Sequence, residues 1–190
     1  MFENVRRDLR RAVLMNQDTG RTALLREFFN PGTQAILLYR FGRWADQQIA
    51  PLRFMLRLIH FPLTYFFAWR VGIYIPVRAD IGPGMVIHTW GGGVFLPCAR
   101  IGRDFTIVGG GILMDYDTRE IGDDVKIGAG TKVVGKIRIG NRVRTGPNAV
   151  IQSDVPDDIL AFGNPARFIR RVVRKQPGSS GKPSLAPPTP

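Results

Sequence analysis

Aliphatic residues recur at every sixth position in the second half of this chain, and few folds tolerate that period. Ile121, Ile127, Val133, Ile139, Thr145 and Ile151 form an unbroken ladder, aliphatic at five of its six rungs. Glycine follows directly at Gly122, Gly128, Gly140 and Gly146. Four places after each rung stands Val125, Thr131, Ile137, Val143, Ala149 or Val155. An amphipathic helix needs a period of about 3.6 and a half-buried strand a period of about 2, so neither accounts for six. Six is the hexapeptide form of a β-helix: each hexad supplies a short strand and a corner, and three hexads close one triangular coil. The rung then points inward and stacks on its equivalents above and below. The glycine beside it is expected to serve a corner that requires positive φ. Burying each aliphatic rung contributes roughly 1.5–3 kcal/mol, so the stack as a whole can carry a domain.

The same phase holds upstream at Ile75, Ile81 and Ile87, and again at Ile101, Ile107 and Leu113. The steps from Ile81 to Ile101 and from Ile101 to Ile121 are 20 residues, two more than three hexads. Each of these turns therefore carries a small insertion, and insertions in a solenoid bulge outward on one face, often the binding face.

Residues 1–72 follow a different grammar and are expected to be α-helical. Asn30-Pro31 is a helix start, with Asn as N-cap and Pro at the first helical position. Leu37, Phe41 and Trp44 then fall on one apolar stripe. Pro51 and Pro62 are expected to cut the remainder into short helices. Leu58–Trp69 is apolar for twelve residues, well short of the roughly 20 needed to span a bilayer. Packing on the protein's own core is its expected fate, with a place in a membrane interface, helped by Phe61, Tyr65, Phe66, Phe67 and Trp69, as the alternative. The repeats occupy 73–160, a C-terminal segment 161–175, and a tail over 176–190 with five prolines reads as disordered. The N-terminus has arginines with no apolar run behind them, so it does not read as a signal peptide.

Composition narrows the chemistry. With 44% hydrophobic and 22% charged residues the chain is a folded globular protein. Cys98 is its one cysteine and His60 and His88 its two histidines, which excludes a disulfide framework, a Cys-rich zinc site and a three-histidine metal site. The net charge of +12 is not spread evenly. Residues 1–75 hold 11 basic and 5 acidic side chains, residues 76–160 hold 10 of each, and residues 161–190 hold 6 basic and none acidic. No helix-turn-helix, zinc finger or RNA-binding signature accompanies the charge, so nucleic acid is not an expected partner. The excess points to solvated faces, an anionic membrane surface and phosphates on a bound molecule.

Residues 1–173 resemble the serine acetyltransferase branch of the hexapeptide-repeat acyltransferases. The resemblance is carried by Asn30-Pro31-Gly32, Ala35-Ile36-Leu37-Leu38-Tyr39-Arg40 and Gly72-Ile73 before the repeats. It continues in Ile127-Gly128-Ala129-Gly130-Thr131-Lys132-Val133-Val134-Gly135, similar to the family's coenzyme A-binding coil. Phe162-Gly163-Asn164-Pro165-Ala166-Arg167 resembles the signature beside the adenine end of that cofactor. The resemblance implies a mainly β fold, a left-handed parallel β-helix preceded by the α-helical region. It also implies a homotrimer or dimer of trimers with acetyl-CoA in grooves between subunits and no metal. Gly128, Ala129, Gly130, Lys132, Arg144, Arg167 and Arg170 are the expected cofactor contacts.

This chain departs from the family at the acceptor. The family follows its Gly-Ile pair with Asp, Ile and His, whereas Gly72-Ile73 is followed here by Tyr74-Ile75-Pro76. The family's catalytic histidine stands two places after a rung; here His88 stands one place after Ile87, and Thr89 fills the usual slot. Met114-Asp115-Tyr116-Asp117-Thr118-Arg119 replaces the loop that carries the family's second histidine.

His88, the one histidine among the repeats and beside the first insertion, is the expected general base for a hydroxyl acceptor. Backbone N–H groups would hold the oxyanion. Asp115 and Asp117 are the candidate carboxylates to orient His88, and Thr89, Trp90 and Tyr116 the candidate acceptor contacts. His60, among apolar residues, is expected to be structural, and Cys98 a small packed residue. The expected activity is acetyl-CoA-dependent O-acetylation of a saccharide or other small acceptor, in the cytoplasm or at the inner membrane surface. Serine O-acetyltransferase and an inactive trimeric or membrane-associated scaffold are the alternatives.

Overall fold

A computed structural model describes residues 2–16, 20, 22–88, 94–95, 100–113 and 120–170. Thr89, Trp90, Cys98, Asp115, Tyr116, Asp117 and the proline-rich tail lie outside the described residues.

The hexads form a three-sided parallel β-helix. Its first face is built by β1 (Ile73–Tyr74), β4 (Val94–Phe95), β7 (Ile112–Leu113), β10 (Lys132–Val133) and β13 (Val150–Ile151). The second holds β2 (Asp80–Ile81), β5 (Arg100–Ile101), β8 (Glu120–Ile121) and β11 (Arg138–Ile139). The third holds β3 (Val86–His88), β6 (Thr106–Val108), β9 (Lys126–Ile127), β12 (Arg144–Thr145), β14 (Ile159–Phe162) and β15 (Arg167–Arg170). Neighbouring strands are parallel except β14 and β15, an antiparallel hairpin at the end of the third face. The register reproduces the sequence steps. Ile81 pairs with Ile101 and Ile101 with Ile121, twenty residues apart, whereas Glu120 pairs with Arg138 and Lys132 with Val150, eighteen apart.

Inside, Ile81, Ile101, Ile121 and Ile139 stack along one face, Ile87, Ile107 and Ile127 along another, and Val94, Val133 and Ile151 along the remaining one, all buried. The polar rung is satisfied internally. Thr145 Oγ1 accepts from Gly128 N at 2.8 Å and shares a hydrogen bond with Thr131 Oγ1 at 3.0 Å, while Thr131 Oγ1 donates to Gly146 O.

The glycines beside the rungs do a different job from the one expected. Left-handed φ falls two places later, at Gly84, Asp104, Asp124, Gly130, Arg142 and Asn148, and not at Gly122, Gly128, Gly140 or Gly146. Close approach of successive coils is what excludes a side chain there. A Cβ on Gly122 would stand 2.8 Å from the Gly140 carbonyl, and one on Gly128 would stand 2.6 Å from Thr145 O.

Four helices precede the solenoid: α1 (Phe2–Met15), α2 (Ala23–Phe28), α3 (Pro31–Asp46) and α4 (Ala50–Val71). Asn30 caps α3 as expected, its side chain accepting from Gly32 N at 2.9 Å with Pro31 in the first turn. The most buried face of α3 is not Leu37–Phe41–Trp44, which is half-buried, but Ala35, Ile36, Tyr39 and Arg40. The reason is that α3 is packed on two sides, by the solenoid and by α4.

Two polar contacts weld α3 to the first coil. Tyr39 OH donates to Ala79 O at 2.6 Å and accepts from Ile81 N. The Arg40 guanidinium, 5% exposed, meets Asp8 of α1 at 2.9 Å and donates to Ile81 O and Gly82 O. Asp8 Oδ1 in turn accepts from Gly84 N and Met85 N.

Pro62 does not cut α4, which runs unbroken for 22 residues. Its ring lies on the exposed side of the helix, and the Leu58 carbonyl that loses its donor there belongs to an exposed residue rather than a buried one. Only one side of Leu58–Trp69 packs on the protein: His60 is buried and Phe67 rests against the core, whereas Leu58, Phe61, Tyr65, Phe66 and Trp69 remain exposed, because one helix covers only one stripe of another.

Candidate functional site

His88 ends β3 at the place where the N-terminus of α3 is pressed against the solenoid. The fit is close enough that a Cβ on Gly32 would overlap the Ile87 carbonyl oxygen and stand 3.0 Å from Ile87 Cβ. In β3 the rung residue Ile87 is buried, and His88, one place on, turns its half-buried side chain to the outer surface beneath the helices. Its backbone is held by pairing with Val108 and by Gly109 N donating to His88 O at 2.7 Å.

Burial holds the imidazole below its ordinary 6.5; the Lys126 cation pulls the same way, the Glu27 carboxylate opposes, and the Arg11 cation lowers it further. At neutral pH the ring is therefore uncharged, with one nitrogen able to accept a proton. Such a ring suits a general base.

Three of these neighbours were not among the candidates drawn from the sequence. Glu27, on the six-residue α2, is 6% exposed and accepts from Asn16 Nδ2 at 2.7 Å and from Thr33 Oγ1. Arg11 reaches from α1 to Gly84 O, Phe105 O and Thr106 Oγ1. Lys126 is exposed on β9, whose neighbour β6 pairs with β3. No periodicity marks them, because three separate elements bring them to one place. Glu27 is distinguished only by its burial, which the sequence does not show.

His60 sits between α3 and α4, its Nε2 at 3.2 Å from Leu38 O and also from Thr64 Oγ1, with the Phe41 ring 6.1 Å away. Burial lowers its pKa too. A Cβ on Gly42 would meet its Nε2 and stand 2.7 Å from its Cε1, so the two helices cross there.

The expected cofactor contacts divide between faces. Gly128, Ala129 and Gly130 form the corner after β9, where Gly130 has φ of 69° and Asn148 N donates to Ala129 O at 2.7 Å. Lys132 is exposed on the first face of the solenoid. Arg144 belongs to the third face and is committed to Asp124, both of whose carboxylate oxygens lie 2.8 Å from its Nη2. Arg167 and Arg170 are exposed at the two ends of β15, and an odd spacing turns them to opposite sides of the strand. One chain thus brings the glycine corner and Lys132 together but does not converge its cations on a single cleft. An open groove of about 430 Å³ on the second face is lined by Glu120, Arg138, Asn141, Asp154 and Asp157, a set too acidic to attract phosphates. Among the described residues no group of three or more His, Cys, Asp or Glu is placed to hold a metal ion.

Residues 120–153 match the bacterial transferase hexapeptide family (six repeats). Solenoid, repeats and helical front together define a hexapeptide-repeat acyltransferase. The chain is 31% identical over 186 residues to a serine acetyltransferase of Synechococcus elongatus, covering 93% of this chain and 72% of that protein. It is 32% identical over 187 residues to the serine acetyltransferase of Mycobacterium tuberculosis, covering 95% and 77%. The chain belongs to the serine acetyltransferase family. The crystal structure of the Neisseria gonorrhoeae serine acetyltransferase superposes with a TM-score of 0.74 at 25% identity, over 91% of this chain and 67% of that one. The same enzyme in complex with serine gives 0.69 at 26%, over 87% and 67%. A serine acetyltransferase solved as its complex with CoA shares the fold, with a TM-score of 0.69 at 24% identity over 88% and 68%.

Proposed function

We propose that this protein is a serine O-acetyltransferase that uses acetyl-CoA, with His88 as general base. The observation that carries the proposal is family membership over nearly the whole chain. Placement of one uncharged, half-buried imidazole at the junction of helices and solenoid supports the assignment of the base. In the reaction the acceptor hydroxyl attacks the thioester carbonyl while its proton passes to the His88 imidazole. Collapse of the tetrahedral intermediate breaks the C–S bond, and the departing thiolate takes the proton back, leaving an O-acetyl ester and the free thiol of CoA. Glu27 stabilises the imidazolium formed on the way, as a nearby carboxylate must. General-base assistance of this kind is worth about 10²- to 10⁴-fold.

Acetyl-CoA is assigned to the groove between neighbouring subunits of a trimer. Support comes from the division of the cations: Lys132 lies on one face and Arg167 on another, and faces of two different chains can meet where those of one cannot. The saccharide acceptor is a second reading, favoured by Tyr74 and Pro76 standing where the family has its carboxylate and imidazole.

Free-thiol release from acetyl-CoA by the protein and by His88→Ala, with L-serine and with a panel of sugars, separates these readings. Serine-dependent release that the variant loses supports the proposal. Release only with a sugar transfers the role of His88 to the second reading. Acetyl-CoA binding without release on any acceptor of the panel leaves a scaffold or an acceptor outside the panel.

A further inference from the structure

The outward surface of α4 is the reverse of what an ordinary surface helix presents. Towards α3 it turns the polar pair His60 and Thr64, and His60 is its one buried residue. Away from the protein, Phe54, Leu58, Phe61, Tyr65 and Trp69 follow one another at three- and four-residue spacing, each exposed by 59–83%. At 3.6 residues per turn these five form one continuous stripe, flanked by the exposed Met55, Ile59 and Phe66. An apolar stripe of this length on one element marks an interaction surface.

Charge identifies the occupant. The helix contains Arg53, Arg57 and Arg70 and no carboxylate, and on the helical projection none of the three falls within the outward stripe. Among the described carboxylates of the helical front, Asp46 offsets Arg57 at 2.8 Å, whereas Asp8 and Glu27 are buried against partners, and residues 1–75 as a whole hold 11 basic against 5 acidic side chains. The field around the stripe is therefore positive. A second copy docked face to face would oppose like charges, whereas an anionic lipid surface supplies the opposite sign together with an apolar interior. Trp69 and Tyr65 are the side chains that favour the boundary between headgroups and acyl chains. No helix among the described residues is long and apolar enough to cross a membrane, so the helix would lie in the interface.

We propose that α4 docks this protein on anionic membranes, with the Phe54–Leu58–Phe61–Tyr65–Trp69 stripe sunk into the lipid and its arginines among the headgroups. The proposal does not rest on the identity of the acceptor.

Vesicle flotation of the full chain tests it, with phosphatidylcholine alone and with about one-quarter phosphatidylglycerol added. The protein floats with the anionic vesicles, binds far less to the neutral ones, and is released as salt is raised. Arg53→Gln/Arg70→Gln weakens binding by about fivefold per arginine at low salt. Leu58→Glu/Trp69→Glu lowers the bound fraction at least about tenfold while the thermal midpoint is kept, since both side chains are exposed. Protein that stays unbound with both vesicle types overturns the proposal. So does a lower assembly mass for Leu58→Glu/Trp69→Glu in sedimentation, with no loss of flotation, because the stripe would then be covered by another copy.

Discussion

Replacing Gly32 by alanine tests the seat of α3 beside His88. A Cβ there would overlap the Ile87 carbonyl oxygen and stand 3.0 Å from Ile87 Cβ and 3.1 Å from its carbonyl carbon. Comfortable carbon contacts need about 3.5–4.0 Å. Ile87 cannot yield, because it is a buried rung paired with Ile107 in the next coil. The helix must give instead, by about 1 Å, and Tyr39 and Arg40 downstream resist that shift through their bonds to Ala79, Ile81 and Gly82. Overpacking of this kind costs about 1–3 kcal/mol. A displacement of about 1 Å beside a reacting group can cost about 10²-fold in rate. Urea unfolding at fixed protein concentration reads the first quantity, and kcat/KM for thiol release from acetyl-CoA reads the second. Wild-type values for both in Gly32→Ala would refute the reasoning, since α3 would then not be seated on β3 in solution.

Asp8→Ala is expected to cost about 3–5 kcal/mol, because it strands the Arg40 guanidinium in a buried site and removes the acceptor for Gly84 N and Met85 N. Asp8→Leu/Arg40→Met should recover much of that loss; a double variant no better than Asp8→Ala in urea unfolding would contradict the account. The fall of kcat/KM on the acid side should lie below pH 6.5, since His88 must be neutral to act and its pKa is lowered by burial. Glu27→Gln removes a raising influence and should move that fall to still lower pH; a shift upward would remove Glu27 from the site. The lowered pKa values of His88 and His60 mean that the unfolded chain binds more protons than the folded one below the ordinary 6.5. Their contribution to stability is complete above that pH and is lost as pH falls through the lowered values, which unfolding midpoints across a pH series would reveal.

Much of the solenoid is legible in the residues alone. The hexad ladder specifies the coils, and the 20-residue steps reappear as the register of β2, β5 and β8. Asn30-Pro31 starts α3 where its chemistry says it must. These features are readable because a rung stacks on its own equivalent, so a local pattern carries the long-range contact within it. The family resemblance adds to this reading through the repeats and also through residues 30–40 of the helical front and 162–167 beyond the ladder.

The helical front is another matter. Pro62 looked like a break and lies within α4, and the Leu58–Trp69 run looked like core but leaves most of its large side chains exposed, with His60 and Phe67 turned inward. Leu37, Phe41 and Trp44 form a correct stripe, yet Ile36, Tyr39 and Arg40 hold the more buried position. Helical periodicity gives a face without naming the surface that will cover it, and here two surfaces compete for α3. The glycines after the rungs show the same limit within the repeats: the residue type was informative, but its cause, another coil at 2.6–2.8 Å, lies outside the hexad.

What the chain's sequence determines by itself is therefore the repeating body, its insertions and His88 as the histidine among the coils. Only tertiary structure decides that Asp8 neutralises Arg40, that Glu27, Lys126 and Arg11 gather around His88, and that α4 turns its aromatic side outward. Each of these depends on elements far apart in the chain meeting at one point, and no period in the sequence encodes the distance between them.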